Sequence, residues 1–208
     1  MQWIIPGTII SYLVGSIPTA YIFGRLLRGI DIRKFGSGNV GATNALRVLG
    51  KKTGLTVLAL DIVKGLIPVM LLGNFIYPRA GMPLDIVFVV LGMACIIGHS
   101  WPLFLGFKGG KGIATTLGVL IALAIRIPGL EKVLALTISA WVVIFLSFRI
   151  VSLASVISAL TLPLFLIFFK QSTQIIISGV ILSVFIILRH KSNLIRLFQG
   201  KESRLIFK

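Results

Sequence analysis

The residues that most enzymes use for chemistry are scarce in this 208-residue chain. It contains one cysteine, two histidines and five acidic residues, against 21 lysines and arginines. The single cysteine, Cys95, excludes an intramolecular disulfide and a cage of cysteine metal ligands. Two histidines and five carboxylates are too few for a convincing metal site, so we expect neither a metal nor another cofactor. Cys95 itself lies in the apolar stretch LGMACIIG and is expected to be a small core residue.

Charged residues are also few, at 12% of the chain, whereas 57% of the residues are hydrophobic and the mean hydropathy is +1.05. A water-soluble domain of this length cannot bury so much apolar surface, so much of it must face lipid. The sequence contains no linker rich in serine or proline, no low-complexity tract and no clear internal repeat. We therefore predict one integral-membrane domain that covers residues 1–208.

The excess of basic residues gives the chain a net charge of +16. In a soluble protein this charge would indicate a nucleic-acid partner. Here the aromatic residues lie inside apolar runs and are not interleaved with basic clusters, as they are on surfaces that stack against bases. We therefore expect no nucleic acid, and we predict that anionic membrane lipids and anionic substrates are the partners.

Long apolar runs predict an all-α membrane protein that forms a polytopic bundle. A transmembrane helix needs about 20 mostly apolar residues. Four runs meet this length and three are shorter, which predicts seven spans. The alternative is five spans, with residues 113–148 forming a re-entrant hairpin whose backbone is shielded by protein. The seven predicted spans are 3–24, 53–76, 84–106, 113–127, 132–148, 150–169 and 173–188.

The distribution of basic residues predicts an outside N-terminus and a cytoplasmic C-terminus. The first run lacks a basic n-region and a convincing cleavage site, so we expect it to stay attached rather than act as a signal peptide. Arg25 and Arg28 follow this run, which places its end on the cytoplasmic side. With seven spans the cytoplasmic segments carry sixteen of the 21 basic residues, and five spans keep the same sidedness. Those segments are 25–52, 107–112, 149 and 189–208, with seven, two, one and six basic residues.

This orientation predicts that only one end of the chain is accessible from outside the cell. A cysteine added at the N-terminus should react with a membrane-impermeant thiol reagent applied to intact cells. A cysteine added after Lys208 should not react, because the positively charged segments face the cytoplasm. The unmodified chain, whose Cys95 lies in an apolar run, gives the background. Equal labelling of the two added cysteines would contradict the predicted topology.

The first polar motif on the predicted cytoplasmic side is FGSGNVGATNALR, residues 35–47. Its glycines allow backbone conformations in which successive N–H groups point at one anion. Ser37 and its neighbours add neutral donors, and Arg47 can bind a phosphate through two hydrogen bonds. The alternative is a glycine-rich turn that leads into a short helix. The candidate phosphate-binding residues are Gly38, Asn39, Thr43, Asn44 and Arg47.

The second motif is FKGGKG, residues 107–112. It is not a nucleotide-binding P-loop, because Leu105 stands where that pattern requires glycine and Gly112 stands where it requires serine or threonine. A glycine loop that leads into a helix N-terminus, with two ammonium groups beside it, suits a phosphate monoester. The alternative is that the two lysines only anchor a helix end among lipid headgroups. The candidate phosphate-binding residues are Lys108, Gly109, Gly110, Lys111 and Gly112.

The third motif is RHKSNLIRLFQGKESR, residues 189–204. His190 and Asn193 are three residues apart and would share one face of a helix. Glu202 is the only acidic residue of this tail. An amphipathic helix that lies on the membrane surface is the alternative, and we accept it for Ile195, Leu197 and Phe198.

Two further polar pairs lie next to or inside the apolar runs. Arg149 and Ser152, in SFRIVS, occupy another predicted cytoplasmic turn, and both are candidates for phosphate binding. An arginine at a helix end is by itself most simply an anchor. Asp61 and Lys64 lie within the second run, where isolated charges are costly, so we expect a structural salt bridge between them rather than a proton path.

Together these motifs resemble the PlsY family of bacterial membrane-integral acyltransferases. The resemblance runs along the whole chain, through GSGNVGATN, LDIVKG, GHSWPLFLGFKGGKG, RIVSLAS, RHKSNLIRL and GKES. It implies a seven-helix fold in the bacterial inner membrane with an active site at the cytoplasmic surface. It also implies that the functional residues include Ser37, Arg47, Gly109 to Gly112, His190, Asn193 and Glu202, of which we assign Ser37, His190 and Asn193 to catalysis.

The reaction implied by the resemblance moves a fatty acyl group from acyl phosphate to the sn-1 hydroxyl of glycerol 3-phosphate. The products are lysophosphatidic acid and phosphate, and a separate soluble phosphate acyltransferase supplies the acyl phosphate. Both substrates carry a phosphate, which fits two glycine-rich basic loops. Neither histidine precedes an aspartate by five residues, because positions 104 and 195 are Phe and Ile. A Ser-His-Asp triad is implausible with so few acids. The general base is therefore either His190 or the substrate phosphate.

Two functions from other classes compete with the acyltransferase reading. A transporter of a small phosphorylated anion would need polar residues near the middle of the bilayer on several helices. A non-catalytic membrane scaffold would leave the four anion-seeking loops on one side unexplained. Both alternatives fit the sequence less well than acyl transfer does.

Overall fold

The structure, a computed structural model, describes residues 2–205, and this part of the chain consists of helices joined by turns and loops. This confirms the predicted all-α class. Met1 and Lys208, the ends to which the predicted orientation refers, lie outside the described residues. Single 3₁₀ turns lie at Ile32–Lys34 and Leu103–Leu105. The ten α-helices are α1 (Ile4–Gly15), α2 (Thr19–Arg28), α3 (Ala42–Leu49), α4 (Lys51–Ala80), α5 (Leu84–Ser100), α6 (Ile113–Arg126), α7 (Leu130–Phe148), α8 (Val151–Phe168), α9 (Thr173–Arg189) and α10 (Lys191–Phe198).

Five helical segments of the described chain are long and apolar enough to cross a bilayer, which supports a multi-pass membrane protein. A sixth span is present if α9 and α10, which meet at a bend of 59°, are counted as one. With only 14 residues, α6 is shorter than a full span. Seven spans therefore stay a prediction. The five segments are Ile4–Arg28, Lys51–Ala80, Leu84–Leu105, Leu130–Phe148 and Val151–Phe168.

The first of two compact units ends at Leu123, and small residues bring its helices close together. Helices α1, α4 and α5 pack on one another. A Cβ atom on Gly15 would collide with the backbone of Cys95, and one on Gly98 would collide with the carbonyl of Tyr12. Close approach of backbones at small residues is how helices pack where lipid removes the hydrophobic drive for association.

The predicted first span, 3–24, is interrupted in the structure. Helix α1 ends at Gly15 and α2 begins only at Thr19. Pro18 lacks a backbone N–H, and its ring disfavours the helical conformation for Ile17. The interruption leaves the carbonyl of Ile17 outside the regular helical pattern, where it accepts a hydrogen bond from Lys64 Nζ at 2.8 Å. The break therefore provides a partner for a buried charge.

The second unit begins at Ala124 and is built around α8. Helices α7 and α9 both pack against α8, and the short α10 contacts α8 and α9. The Trp141 and Phe145 rings of α7 stack at a centroid distance of 5.0 Å. The chain after α10 folds back, so that the backbone N–H of Leu205 donates to the carbonyl of Arg149 at 2.7 Å. This return places the tail next to the turn between α7 and α8.

Candidate active site

The first glycine motif is a turn organised around the buried side chain of Asn44. The Asn44 amide nitrogen donates to the carbonyls of Phe35 (3.1 Å) and Asn39 (2.9 Å), and Asn44 is 1% exposed. Its side-chain oxygen accepts from the backbone N–H of Ser37 at 2.9 Å. Asn44 therefore holds the turn together, and the phosphate contact predicted for it stays a prediction.

Glycine is required in this turn at two positions. Gly36 and Gly38 have φ angles of 59° and 71°, in the left-handed region that favours glycine. A Cβ atom on Gly36 would also collide with Asn44 Oδ1. The turn ends where α3 begins at Ala42, and it leaves Ser37 and Arg47 exposed. Both side chains can therefore reach a ligand that arrives from solvent.

The second glycine motif, residues 109–112, is fastened to the end of α5. The N–H of Gly109 donates to the carbonyl of Ser100 at 3.3 Å, and the N–H of Gly110 donates to that of His99 at 3.1 Å. Gly112, with a φ of 85°, precedes α6. Lys111 is half-buried and Lys108 is exposed. The loop thus leads into the N-terminus of α6, and the phosphate contacts expected of its two lysines stay a prediction.

Packing against the end of α5 requires glycine at positions 109 and 110, which the sequence alone does not show. A Cβ atom on Gly109 would collide with the carbonyl oxygen of His99 and with the ring of Pro102. A Cβ atom on Gly110 would collide with His99 Nε2. Neither glycine has a positive φ, so close packing against the end of α5 is what excludes larger residues here.

A buried polar cluster lies directly behind this loop. Lys64 Nζ lies 2.8 Å from Asp61 Oδ1, which confirms the predicted salt bridge. Thr19 Oγ1 donates to the same carboxylate oxygen at 2.5 Å. His99 Nδ1 lies 3.9 Å from it, and the His99 side chain is 6% exposed. Neither Thr19 nor His99 was predicted to belong to a site, although His99 stands in the stretch GHSWP shortly before the loop.

In the second unit, the third motif and Ser152 of the stretch SFRIVS meet at Glu202. The Glu202 carboxylate accepts hydrogen bonds from Ser152 Oγ (2.7 Å), Asn193 Nδ2 (2.5 Å) and Arg196 Nε (2.8 Å). Its side chain is 6% exposed. Burial alone would raise the pKa of Glu202, but the hydrogen bonds from Asn193, Ser152 and Arg196 outweigh it and hold the pKa below its usual value. Arg196 was not predicted, although it lies three residues after Asn193 on α10.

We expect Glu202→Gln to lower the stability of the protein by about 1–3 kcal/mol near neutral pH, because a neutral amide replaces a charged acceptor of three hydrogen bonds. Since the folded pKa is lowered, the ionised carboxylate stabilises the fold above the unfolded-state pKa of about 4.3. That contribution is lost as the pH falls through the folded pKa. Thermal unfolding in detergent between pH 3 and 7 should therefore show a steeper acid loss in the wild type than in Glu202→Gln.

Glu131→Gln is the matched control, because Glu131 is an exposed acidic residue in the first turn of α7. It should unfold like the wild type at every pH. Equal stability of Glu202→Gln and Glu131→Gln at pH 7 would contradict a stabilising role for the Glu202 cluster.

His190 lies at the junction of α9 and α10 rather than within one helix, and it is 3% exposed. Its Nδ1 lies 2.8 Å from the carbonyl oxygen of Ile186. A carbonyl only accepts, so this contact requires the hydrogen on Nδ1 and leaves a lone pair on Nε2 of the neutral ring. The neutral His190 ring can therefore accept a proton or a hydrogen bond at Nε2.

Arg149 follows the last residue of α7 and caps that helix in the left-handed conformation, with a φ of 58°.

Comparison with known proteins gives one consistent result. The sequence model of the family described as glycerol-3-phosphate acyltransferase matches residues 5–200. A glycerol-3-phosphate acyltransferase of Thermoanaerobacter sp. (strain X514) is 44% identical over 197 residues, which cover 95% of this chain and 93% of the relative. The protein of the same name from Thermosynechococcus vestitus is 43% identical over 202 residues, which cover 95% and 92%.

Two crystal structures of PlsY, an integral membrane glycerol 3-phosphate acyltransferase, have the same fold. The glycerol 3-phosphate form is 37% identical with a TM-score of 0.86, and the alignment covers 98% of this chain and 96% of that one. The lysophosphatidic acid form is 37% identical with a TM-score of 0.83, and the coverage is 98% and 95%. Together with its apolar helices, this similarity makes the protein a multi-pass membrane protein. The chain belongs to the glycerol-3-phosphate acyltransferase family.

Proposed function

We propose that this protein transfers a fatty acyl group from acyl phosphate to the sn-1 hydroxyl of glycerol 3-phosphate. The sn-1 oxygen forms a bond to the acyl carbon, and the bond from that carbon to the phosphate oxygen breaks. The phosphate leaves with the electron pair, and the hydroxyl proton passes to a base. The observation that carries the proposal is the similarity, over almost the whole chain, to a PlsY structure in glycerol 3-phosphate and lysophosphatidic acid forms.

An acyl phosphate donor fits the side chains that the described chain offers. Cys95, the single cysteine of the sequence, is buried within α5, so it does not suit the role of a thiol nucleophile. The carboxylate nearest to His99 belongs to Asp61, which is already bonded to Thr19 and Lys64. An acyl phosphate is a mixed anhydride with a good leaving group, so positioning and charge neutralisation can provide most of the acceleration.

The two glycine motifs are the proposed phosphate sites of the first unit. Lys108 and Lys111 neutralise a phosphate beside the N-terminus of α6. Ser37 and Arg47 are exposed at the turn that Asn44 holds and serve the same chemistry. The assignment of each phosphate to one motif is left open in this proposal.

In the second unit, the Glu202 cluster supports the proposed catalytic residues. Glu202 accepts from Asn193 and Ser152, which fixes one side chain on α10 and one on α8. We propose that His190 Nε2 holds glycerol 3-phosphate and that the substrate's own phosphate takes the hydroxyl proton. Arg149 adds a positive charge at the turn where α7 ends.

The proposed location is the bacterial inner membrane, with seven spans and the reacting groups at the cytoplasmic face. Sixteen of the basic residues fall on that side in the predicted topology, which suits two anionic substrates and anionic lipids. A soluble phosphate acyltransferase would supply the acyl phosphate. This arrangement lets a water-soluble acceptor and a lipid-soluble donor meet at the membrane surface.

A single assay tests the proposal. Purified protein in lipid vesicles is given acyl phosphate with and without glycerol 3-phosphate, and phosphate release and lysophosphatidic acid are measured. We expect stoichiometric formation of both products only when glycerol 3-phosphate is present. Movement of glycerol 3-phosphate into the vesicles without acylation would instead support the transporter alternative.

A further inference from the structure

His99, a member of the buried polar cluster of the first unit, reaches the glycine loop. The His99 ring lies against the Asp61 carboxylate on one side and against Gly110 on the other. Its Nδ1 lies 3.9 Å from Asp61 Oδ1, and its Nε2 occupies the space that a Cβ atom on Gly110 would need. The backbone carbonyl of His99 also accepts from the N–H of Gly110 at 3.1 Å. The imidazole is therefore wedged between a buried carboxylate and the loop.

The charges of Asp61 and Lys64 do not explain why the His99 imidazole lies in the cluster, because both groups have other partners. Asp61 already has Lys64 Nζ at 2.8 Å and Thr19 Oγ1 at 2.5 Å. Lys64 has a second acceptor in the carbonyl of Ile17. The distance of 3.9 Å between His99 and Asp61 exceeds that of a hydrogen bond. A polar ring buried in a membrane helix is costly and is retained where it has a function.

The position of His99 determines which loop conformations are possible. The ring blocks movement of Gly110 towards α5, while the backbone hydrogen bonds of Gly109 and Gly110 prevent movement away from it. Small displacements of groups that hold a ligand are costly, because binding geometry must be kept within a fraction of an ångström. The ring and the two backbone hydrogen bonds thus restrict the loop from opposite directions.

We propose that His99 is a positioning residue, packed between Asp61 and the loop, that sets the conformation of the Gly109–Gly112 loop for phosphate binding. The inference rests on the proposed function of that loop. It assigns to His99 no contact with the substrate and no proton transfer. The loss of His99 should therefore appear in binding and in KM, and not in kcat.

Substitutions that place a side-chain amide at only one of the two ring-nitrogen positions distinguish this positioning role from general packing. In His99→Gln the side-chain amide reaches the position of Nε2, next to Gly110. In His99→Asn it reaches only the position of Nδ1, next to Asp61. We expect His99→Ala and His99→Asn to raise one KM by about tenfold, the size of one lost contact, whereas His99→Gln stays within about threefold of the wild type. The affected KM belongs to the substrate whose phosphate the loop binds, and we expect Lys111→Ala to raise the same KM.

The matched control is Ser11→Ala, which removes a different buried contact to α5. Ser11 Oγ donates to the carbonyl of Leu91 at 2.7 Å, and Ser11 is fully buried. Its loss should lower the melting temperature and leave both KM values unchanged. KM does not depend on the amount of active protein, so partial misfolding of a His99 variant does not obscure the comparison.

A steric test uses Gly110→Ala. Because Gly110 has no positive φ, its alanine variant suffers from collision with His99 and not from backbone strain. Combining it with His99→Ala should therefore raise KM no more than His99→Ala alone, whereas independent effects would multiply. Multiplying effects would overturn the wedge geometry.

The final measurement separates this inference from the proposed function. The dissociation constant of inorganic phosphate is measured by calorimetry without turnover for the wild type, His99→Asn and His99→Gln. Weaker phosphate binding in the asparagine variant alone supports the positioning role, even if the protein fails to acylate glycerol 3-phosphate. Equal binding by all three proteins, a better-preserved His99→Asn than His99→Gln, or an unchanged KM in His99→Asn would overturn it.

Discussion

Lys111→Ala is expected to lower acyltransferase activity by about 30- to 150-fold, which corresponds to a lost phosphate contact of about 2–3 kcal/mol. Lys111 lies in the glycine loop that is hydrogen-bonded to the end of α5, next to the first turn of α6. Its half-buried position partly shields its charge from solvent, which strengthens its attraction for a phosphate. The measurement is kcat/KM for acyl transfer in lipid vesicles.

Lys132→Ala is the control for the loss of one positive charge. Lys132 is exposed in the first turn of α7, which the predicted topology places on the outer side. Its removal leaves the loop unchanged, so activity within about twofold of the wild type is expected, as for most surface substitutions. If Lys111→Ala and Lys132→Ala were equally active, the loop lysines would be lipid anchors and not phosphate ligands.

The sequence predicted those parts of the fold that depend on local signals. Apolar runs longer than about 17 residues give helices because lipid leaves no other partner for the backbone groups. The Asp61–Lys64 pair was also predictable, since residues three apart on a helix are neighbours. The break in the first run was signalled by Pro18, but a hydropathy window averages over such a residue. The local signals were thus all present in the sequence, including the Pro18 signal that the predicted span 3–24 overlooked.

Contacts between distant parts of the chain were not readable from the sequence. Thr19 and Asp61 are 42 residues apart, and Ser152 and Glu202 are 50 apart. Periodicity says which face of a helix is buried, but not which residue of another helix meets it. The role of His99 depends on both α4 and the glycine loop, so only the folded chain reveals it. One local sign was present, the His-Ser-Trp-Pro stretch before the loop.

In the first polar motif, the glycine conformations were predictable from the sequence, whereas the role of Asn44 was not. Gly36 and Gly38 have the left-handed conformations that a glycine-rich turn suggests. Asn44 appeared to be one donor among several, whereas the structure uses its amide to hold the turn. An asparagine offers two donors and an acceptor, and backbone carbonyls compete for them with any ligand. Sequence alone does not say which competitor prevails.

The identity of the base can be decided with His190→Gln, for which we expect a loss of about 20- to 100-fold in kcat/KM, the size of one weakened substrate contact, with the pH dependence retained. Glutamine keeps a hydrogen-bonding side chain but cannot accept a proton near neutral pH. If the substrate phosphate takes the proton, its second pKa near 6 still controls the rate in the variant. Activity should then rise with pH through that value in both proteins.

The geometry around His190 supports a holding role over a catalytic base. A general base of the triad type is oriented by a carboxylate, whereas His190 Nδ1 is held by the neutral carbonyl of Ile186. Glu202, the acidic residue of the same tail, accepts hydrogen bonds from Ser152, Asn193 and Arg196 instead. A neutral carbonyl at Nδ1 stabilises a developing imidazolium less than a carboxylate does. A loss of about 10⁴-fold with unchanged substrate binding and no remaining pH dependence would show instead that His190 is the base.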